Sequence, residues 1–417
     1  MHLDVLAGNR VVVRAERSLP CEPEAAFRWV TDPVAMNRWS TAHVRSVRPG
    51  DGGSAAGTGA LRSVDLPGLL APRLEEVVVE SRPPERFVYR VVRGAPVREH
   101  QGELRVTPAA SGSHLEWTIQ LTFPVGAMVH VARRTLLPEL ERSLDRLVDI
   151  ASTAVPRGDS VPRRDLDESA ELMGLFAEAE RVLGEQRALA AEREAVRDPR
   201  AWFASVYAYV TEGQIDAVRR GVFAHPGWVL RLVPVFHRYY VDNLLRFERS
   251  HGAPPEAHWA KAFRASRPGP TRFEEMAQGV FQGMRAHIEE DLPRALAGVY
   301  VDHYADKGDY ARFRADYLAM APIFDVAGAR LLEHVPSHEI PWRARMARMF
   351  LPRELEQRFM ARGYYDIPRK RREAFERGER LASLLIERIR PTSERRRTAK
   401  KSASKRKRTA KRTPKRG

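Results

Sequence analysis

The sequence predicts an α+β protein built from an antiparallel sheet domain, an all-helical domain and a disordered basic tail. Every second residue from Leu115 to Phe123 is apolar, which is the pattern of a strand with one buried face. After residue 166 no such alternation of useful length appears, and apolar residues recur at helical spacing instead. Residues 391–417 hold thirteen Lys or Arg and one acid, a composition that cannot bury a core.

Composition bounds the possible functions. A chain of 417 residues with 43% hydrophobic content has room for two or three packed domains. The tail carries +12 of the net charge of +16, so the other 390 residues carry only +4 and their charge says little about partners. The single cysteine, Cys21, excludes an internal disulfide and a four-thiolate metal site. We find no secretion signal and no transmembrane segment, and we therefore expect a soluble cytoplasmic protein.

Two short helices are expected near the start of the chain. Pro23 suits a first helical turn, and Glu22 and Glu24 place negative charge at its positive end. Asp32 and Pro33 end this helix, and a second turn runs to Trp39. Strands are predicted where alternating segments lie between turn signals: Arg10–Ser18, His43–Arg48, Ala60–Val64, Leu74–Glu80, Arg86–Val92, Gln101–Val106 and His114–Phe123.

Two connecting segments complete this domain. Gly50 to Gly59 reads GDGGSAAGTG, which predicts a flexible hairpin loop. A long amphipathic helix closes the unit, and its apolar residues are spaced by three and four: Leu137, Leu140, Leu144, Leu147 and Ala151. The resulting order is one strand, two short helices, about six antiparallel strands and one long helix.

This order resembles the START-like (SRPBCC) superfamily of polyketide cyclases, aromatase-like proteins and lipid-transfer domains. The resemblance covers residues 8–153, and its carriers are Pro20–Trp39, Val77–Phe87 and the strand of Trp117. It implies a helix-grip fold, in which a curved sheet wraps the C-terminal helix and leaves a cavity between them. Members bind or transform very different apolar molecules, so the resemblance does not identify a ligand.

The resemblance implies that this cavity binds a hydrophobic small molecule, which could be a lipid, a polyketide or an aromatic compound. The same apolar residues could instead simply fill the core. His100 is the one histidine placed to act as an acid or base, should the domain be a cyclase or dehydratase. The expected pocket residues are Trp39, Tyr89, Leu104, Trp117, Ile119, Leu140 and Leu144.

A proline-bearing linker, residues 154–166, precedes a helical domain expected at 167–390. Within it, GMRAHIEEDLPRAL at Gly283–Leu296 resembles a helical bacterial family of unknown function, which implies no activity. The predicted helices include a segment with Leu172, Phe176 and Leu183 on one side. The others are Trp202–Ala217, Trp228–Glu248, Arg272–Glu290, Leu292–Tyr304, Tyr310–Glu333, Ile340–Arg362 and Pro368–Ile389.

Histidines of this domain form a candidate metal or general-base site. His287 lies on the apolar face of its predicted helix, and Asp291 follows four residues later. His237 and His303 also fall in apolar rows. The alternative is that each histidine is a core residue with one hydrogen bond and that Asp291 caps the helix that begins near Pro293. No HExxH or paired ExxH pattern is present, so no cofactor is identified.

The tail resembles the lysine-rich tails of linker-histone-like proteins. Its cations would bind nucleic acid by counterion release without sequence preference, although an anionic membrane or an acidic protein is an alternative partner. The charged residues are Arg395, Arg396, Arg397, Lys400, Lys401, Lys405, Arg406, Lys407, Arg408, Lys411, Arg412, Lys415 and Arg416.

Three functions therefore remain open from the sequence. The first is a hydrophobic-ligand-binding protein with a helical accessory domain. The second is an enzyme, either cyclase-like in the sheet domain or metal-dependent around His287. The third is a nucleoid-associated protein that binds DNA through the tail.

Overall fold

The structure, a computed structural model, describes residues 2–7, 9–67, 73–95, 97–124, 126–154, 156, 166–249, 252–342 and 365–389. The basic tail, nearly all of the linker and the predicted helix beyond residue 342 lie outside these ranges. The observed parts are an antiparallel sheet domain and a helical domain, and the predicted fold class is confirmed.

The N-terminal domain is one eight-stranded antiparallel sheet with the spatial order β1-β2-β8-β7-β6-β5-β4-β3. Three helices, α1 (Pro23–Thr31), α2 (Pro33–Met36) and α3 (Ala127–Thr153), accompany it. The first strand was not predicted from the sequence. The strands are β1 (His2–Ala7), β2 (Arg10–Leu19), β3 (His43–Arg48), β4 (Leu61–Asp65), β5 (Arg73–Arg82), β6 (Arg86–Arg93), β7 (Glu99–Ala109) and β8 (Gly112–Thr122).

Local sequence accounts for the helical pair that enters this sheet. Pro23 occupies the first turn of α1, where its missing N–H costs no hydrogen bond. The Asp32 carboxylate then caps α2 by accepting hydrogen bonds from the amides of Val34 and Ala35 at 2.8 and 3.0 Å. Buried Phe27 and Trp29 on α1 pack in the core of the sheet domain.

The second domain is helical in every regular element that the structure describes. The sequence did not predict the nine-residue α7, and it predicted one helix where α8 is followed by a π-helical turn at His287–Asp291. The other bounds are α4 (Ser169–Ala195), α5 (Ala201–Arg219), α6 (Pro226–Glu248), α7 (Ala257–Ala265), α8 (Arg272–Ala286), α9 (Leu292–His303), a 3-10 turn (Tyr310–Phe313), α10 (Arg314–Ala319), α11 (Ala321–Leu332) and α12 (Ile367–Ile389).

The glycine-rich segment between β3 and β4 docks onto the helical domain, and we call residues 49–60 the docking loop. Its Asp51 is 4% exposed, and the carboxylate accepts a hydrogen bond from the Asp309 amide at 3.0 Å. In return, the Asp309 carboxylate accepts one from the Gly52 amide at 2.8 Å. Arg314 donates to the carbonyl oxygens of Pro49, at 3.0 Å, and Gly59. The segment does join the antiparallel neighbours β3 and β4, as expected of a hairpin, but it is not a free loop, because partners on the other domain hold it.

Glycine is required at one point of this contact. Gly59 has φ +81°, and a Cβ atom there would lie 1.7 Å from the carbonyl oxygen of Ala311. Gly53 has a similar φ of +68°, but a Cβ there would meet nothing within 4 Å. The two glycines thus share a left-handed backbone and differ in whether the other domain approaches them.

We expect Gly59→Ala to reduce the free energy of unfolding more than the matched control Gly53→Ala. The control should cost about 1–2 kcal/mol for the left-handed backbone, and Gly59→Ala should add about 1–3 kcal/mol for the forced contact with Ala311. Chemical denaturation of both variants measures the difference. Equal costs would mean that the close approach of the two domains does not exist in solution.

Candidate functional site

The pocket residues predicted from the sequence fall into two apolar clusters of the sheet domain. Ile119 and Leu140 belong to a smaller cluster near the start of α3. Trp117 is half-buried and packs against both clusters. The remaining predicted residues lie in the larger cluster, against α1, α2 and the second half of α3: Trp39, Tyr89, Leu104 and Leu144.

A buried ion pair lies at the centre of the larger cluster, and the sequence analysis missed it. Arg62 on β4 is 1% exposed and pairs with Glu76 on β5 at 2.5 Å, directly across the two strands. The guanidinium also donates to the carbonyl oxygen of Thr31 at 3.1 Å. Its Nε atom is buried and has no hydrogen-bond partner within the described part of the chain.

Aromatic rings cover this ion pair. The Arg62 guanidinium carbon lies 4.9 Å from the Phe87 ring centroid and 5.8 Å from that of Tyr89. The Tyr89 hydroxyl accepts a hydrogen bond from the Trp117 indole at 3.1 Å. Burial raises the pKa of Tyr89, so its hydroxyl stays protonated. We call Arg62, Glu76, Tyr89 and Trp117 the polar centre.

A glycine makes room for the Tyr89 ring. Gly102 pairs with Tyr89 across β6 and β7, and a Cβ atom at Gly102 would lie 2.1 Å from the ring. The ring therefore lies flat over the neighbouring strand, and its hydroxyl is directed to Trp117. This cross-strand arrangement positions the polar centre beneath the apolar side chains of the cluster.

His100 lies beside the polar centre, with its ring centroid 5.5 Å from that of Tyr89. Desolvation lowers its pKa to about 4, so the imidazole is neutral at pH 7. The Nδ1 atom accepts a hydrogen bond from the Val91 amide at 3.3 Å, which leaves the proton on Nε2. In this state His100 offers a donor, and its acceptor nitrogen is already engaged.

In the helical domain, the structure brings His287 and Asp291 together. His287 Nδ1 donates to the Asp291 carboxylate at 2.9 Å, and the Trp259 indole donates to the same oxygen at 2.9 Å. The other oxygen accepts from His258 at 3.2 Å and from Arg294. Asp291 makes no side-chain cap to the following helix, so the capping alternative is not what holds it.

These four donors explain the charge state of Asp291. Burial alone would raise its pKa, but the hydrogen bonds from His258 and His287, together with the Arg294 charge, hold the pKa below its usual range. Glu256, His258 and Asp291 have ligand atoms within 4.8 Å of one another. Arg294 already bridges the two carboxylates, with 2.8 Å to Glu256, so a cation there would have to displace a guanidinium.

The other two candidate ligands of the helical domain are placed differently. His237 is buried with its ring 6.0 Å from Tyr207, and Tyr207 lies 4.9 Å from His287. His303 is exposed at the end of α9, beside Tyr304. The thirteen tail cations lie outside the described residues. No helix within the described ranges has the length and apolarity needed to span a bilayer.

Family models match both halves of the chain. Residues 179–411, more than half of the chain, match the family described as "Family of unknown function (DUF5995)". The chain belongs to this family. Residues 10–151 match the family described as "Polyketide cyclase / dehydrase and lipid transport". The resemblances of the N-terminal and helical parts are thereby confirmed. No curated protein matches the chain.

Solved structures are similar to about a third of the chain. A protein of Chromobacterium violaceum is 17% identical, with 34% of this chain and 99% of that chain covered and a TM-score of 0.27. A protein of Rhodobacter sphaeroides is 19% identical, with 37% of this chain and 99% of that chain covered and a TM-score of 0.29. The di-domain ARO/CYC StfQ of the steffimycin biosynthetic pathway is 14% identical, with 35% of this chain and 52% of that chain covered and a TM-score of 0.30.

The buried ion pair makes a prediction for stability. Arg62→Leu should lower the free energy of unfolding by about 3–5 kcal/mol, because it leaves the Glu76 carboxylate buried without a counter-charge. The double variant Arg62→Leu/Glu76→Leu should recover most of this loss, since an apolar pair of similar volume is often neutral. Arg45→Leu, which removes an exposed pair with Asp65, is the control and should cost no more than about 1 kcal/mol.

Chemical denaturation measures all three variants. A double variant as unstable as Arg62→Leu would contradict this account, because Arg62 would then stabilise the fold through contacts other than Glu76.

The helical core makes a prediction for pH dependence. Desolvation, with the neighbouring His287, lowers the pKa of His237 to about 4, whereas the unfolded chain titrates near 6.5. The unfolded state therefore binds more protons between these values, and stability should fall as the pH decreases from about 6.5 to about 4. The groups that face this ring are Glu185, at 3.7 Å, Tyr207 and the charge of Arg181.

Unfolding at a series of pH values tests this for the wild type, His237→Gln and the exposed control His338→Gln. We expect His237→Gln to show a shallower decline over that range and the control to follow the wild type. Parallel curves for all three would show that His237 is not held neutral.

Proposed function

We propose that the sheet domain binds a hydrophobic small molecule, a lipid, polyketide or aromatic compound, which the polar centre orients. The observation that carries this proposal is the burial of Arg62 and Glu76 under aromatic rings. A core that needed only to be filled would use apolar side chains, because a buried ion pair is no more stabilising than an apolar pair of the same volume. A charge pair in this position is better explained by the recognition of a polar group on an apolar ligand.

The chemistry of the polar centre defines the ligand group that it could hold. The Arg62 Nε–H is a buried donor without a partner among the described residues, and the Tyr89 hydroxyl is a second donor. Both suit an oxygen atom, such as a carbonyl or a phenol. The rings of Phe87 and Trp117 and the surrounding aliphatic side chains would contact the apolar body of the ligand.

The rest of the chain has a supporting role in this proposal. The helical domain is an accessory module. The tail binds a polyanion such as nucleic acid. The whole protein acts in the cytoplasm. The helical domain offers a second surface that would suit a polyanion, an open groove of about 510 Å³ between α7 and α8. Lys261, Arg264 and Arg267 line it, and none of them pairs with an acid in the part of the chain that the structure describes.

A cyclase-like enzyme is the second candidate function, and the same donors favour it. Donors that bind a carbonyl oxygen also stabilise the negative charge that develops on it when an adjacent carbon is deprotonated. A metal-dependent enzyme at His287 is less favoured: the buried His287 Nε2 atom has no partner among the described residues, but the Asp291 carboxylate already accepts four hydrogen bonds.

A pair of matched ligands tests the proposed site. We expect the uncharged probe N-phenyl-1-naphthylamine to bind the full chain, and both naphthalene and 2-naphthol to displace it. An anionic probe is unsuitable because the tail would bind its charge. The hydroxyl of 2-naphthol should give it an advantage of about fivefold over naphthalene, which corresponds to one net hydrogen bond.

That advantage should vanish in Arg62→Leu/Glu76→Leu and persist in Arg45→Leu. Fluorescence titration measures each affinity. Failure of the wild type to bind the probe, or an unchanged advantage in the double variant, would overturn the proposal.

A further inference from the structure

The docking loop connects the helical domain to the strand that carries Arg62. Arg314, at the start of α10, is buried and donates from one nitrogen to the carbonyl oxygens of Pro49 and Gly59. These two residues are the first and nearly the last of the loop. One guanidinium of the helical domain therefore closes the loop at its base, three residues before Arg62.

The backbone between Gly59 and Arg62 is held by regular hydrogen bonds. The Gly59 amide donates to the Val78 carbonyl at 2.7 Å, and the Val78 amide donates to the Ala60 carbonyl at 2.9 Å. The β4–β5 ladder continues from there, with Leu61 opposite Val77 and Arg62 opposite Glu76. A shift at Gly59 would pass along this ladder, because each of its residues is fixed to the same neighbouring strand.

The helical domain also contacts the strand that carries Glu76. Helix α10, which begins with Arg314, packs on β5. Within the helical domain, the Arg314 guanidinium carbon lies 5.6 Å from the centroid of the Phe375 ring on α12, which helps to hold the guanidinium in place. Glu76 thus lies on a strand that the helical domain touches, and Arg62 lies on the strand that directly follows the docking loop. The sheet domain alone would keep the ladder but lose the contacts that hold its end.

We propose that Arg314 is a positioning residue for the polar centre, and that the ligand site of the sheet domain is complete only with the helical domain docked. This inference rests on the proposed function for its effect on ligand binding. Its structural part, the dependence of Arg62 on Arg314, stands independently of any ligand. The docked domain fixes where Arg62 lies, and Arg62 fixes where a ligand oxygen can bind.

The variant Arg314→Gln tests this inference in the full chain. Arg48→Gln is the matched control, because it removes the same charge from the same interface, where Arg48 forms an exposed pair with Glu376 at 2.9 Å and no other ion pair with a described residue. Arg314→Lys is the conservative variant, which keeps the charge and a donor. The first readout is the side-chain Nε–H resonance of Arg62 in arginine-labelled protein, assigned by its loss in Arg62→Lys.

We expect Arg314→Gln to move the Arg62 resonance and to weaken binding of N-phenyl-1-naphthylamine by about threefold to tenfold. Arg314→Lys should restore part of both effects, and Arg48→Gln should change neither. An Arg62 resonance that stays in place in Arg314→Gln would overturn the positioning role. If the wild type binds the probe and Arg314→Gln binds it with the same affinity, the proposed effect of Arg314 on the ligand site is overturned.

The two failures are distinguishable. If the wild type does not bind the probe at all, the proposed function fails, and the Arg62 resonance still decides whether Arg314 positions the polar centre. If Arg314→Gln is too unstable for the assay, Arg314→Lys provides the same comparison, because the lysine side chain is shorter and its ammonium does not reach the position of the Arg314 nitrogen that donates to both carbonyl oxygens. A resonance unchanged in that variant would then count against the inference.

Discussion

The buried polar contact between the docking loop and the helical domain is the constraint on which the arrangement of this protein depends. Asp51, Arg312 and Arg314 are all buried where the two domains meet, and Arg312 lies 3.7 Å from the Asp51 carboxylate. Buried charges contribute little net free energy, because desolvation offsets their attraction. They penalise every orientation in which a partner is missing. The contact therefore determines how the domains are oriented more than how tightly they associate.

The sheet domain uses the same physical device at a second place. Arg62 and Glu76 are buried together, and the aromatic rings around them exclude water. In the helical domain, Asp291 is buried under four donors, one of which is the charged guanidinium of Arg294. The two centres differ in the atom that is left open. The acceptor atoms of Asp291 are fully used and the buried His287 Nε2 atom has no partner among the described residues, whereas the polar centre retains the Arg62 Nε donor.

Periodicity and helix caps made much of the fold predictable from the sequence. The alternation around Trp117 and the proline at the start of α1 are local signals, and both were confirmed. The docking loop was misinterpreted because glycine signals only backbone freedom, while the atom that requires Gly59, the carbonyl oxygen of Ala311, is some 250 residues away in sequence. The π-helical turn after α8 likewise depends on packing that the helical spacing of His287 and Asp291 does not reveal.

The polar centre could not have been found without the strand register. Arg62 belongs to the five-residue strand LRSVD, which is too short to indicate which face is buried. Its pairing with Glu76 becomes evident only when β4 and β5 are aligned. Tyr89 and Trp117 were identified as candidate pocket residues from the resemblance to the START-like superfamily, but the hydrogen bond between them depends on Gly102, which shows no special pattern in the sequence.

The central claim is that the sheet domain holds one apolar molecule through its polar centre. Native mass spectrometry of the full chain, purified from the organism that makes it, tests this most directly. The account predicts one organic ligand per chain in the wild type and its loss in Arg62→Leu/Glu76→Leu. A wild-type protein that carries no ligand, and that takes up none from an extract of the same cells, would contradict it.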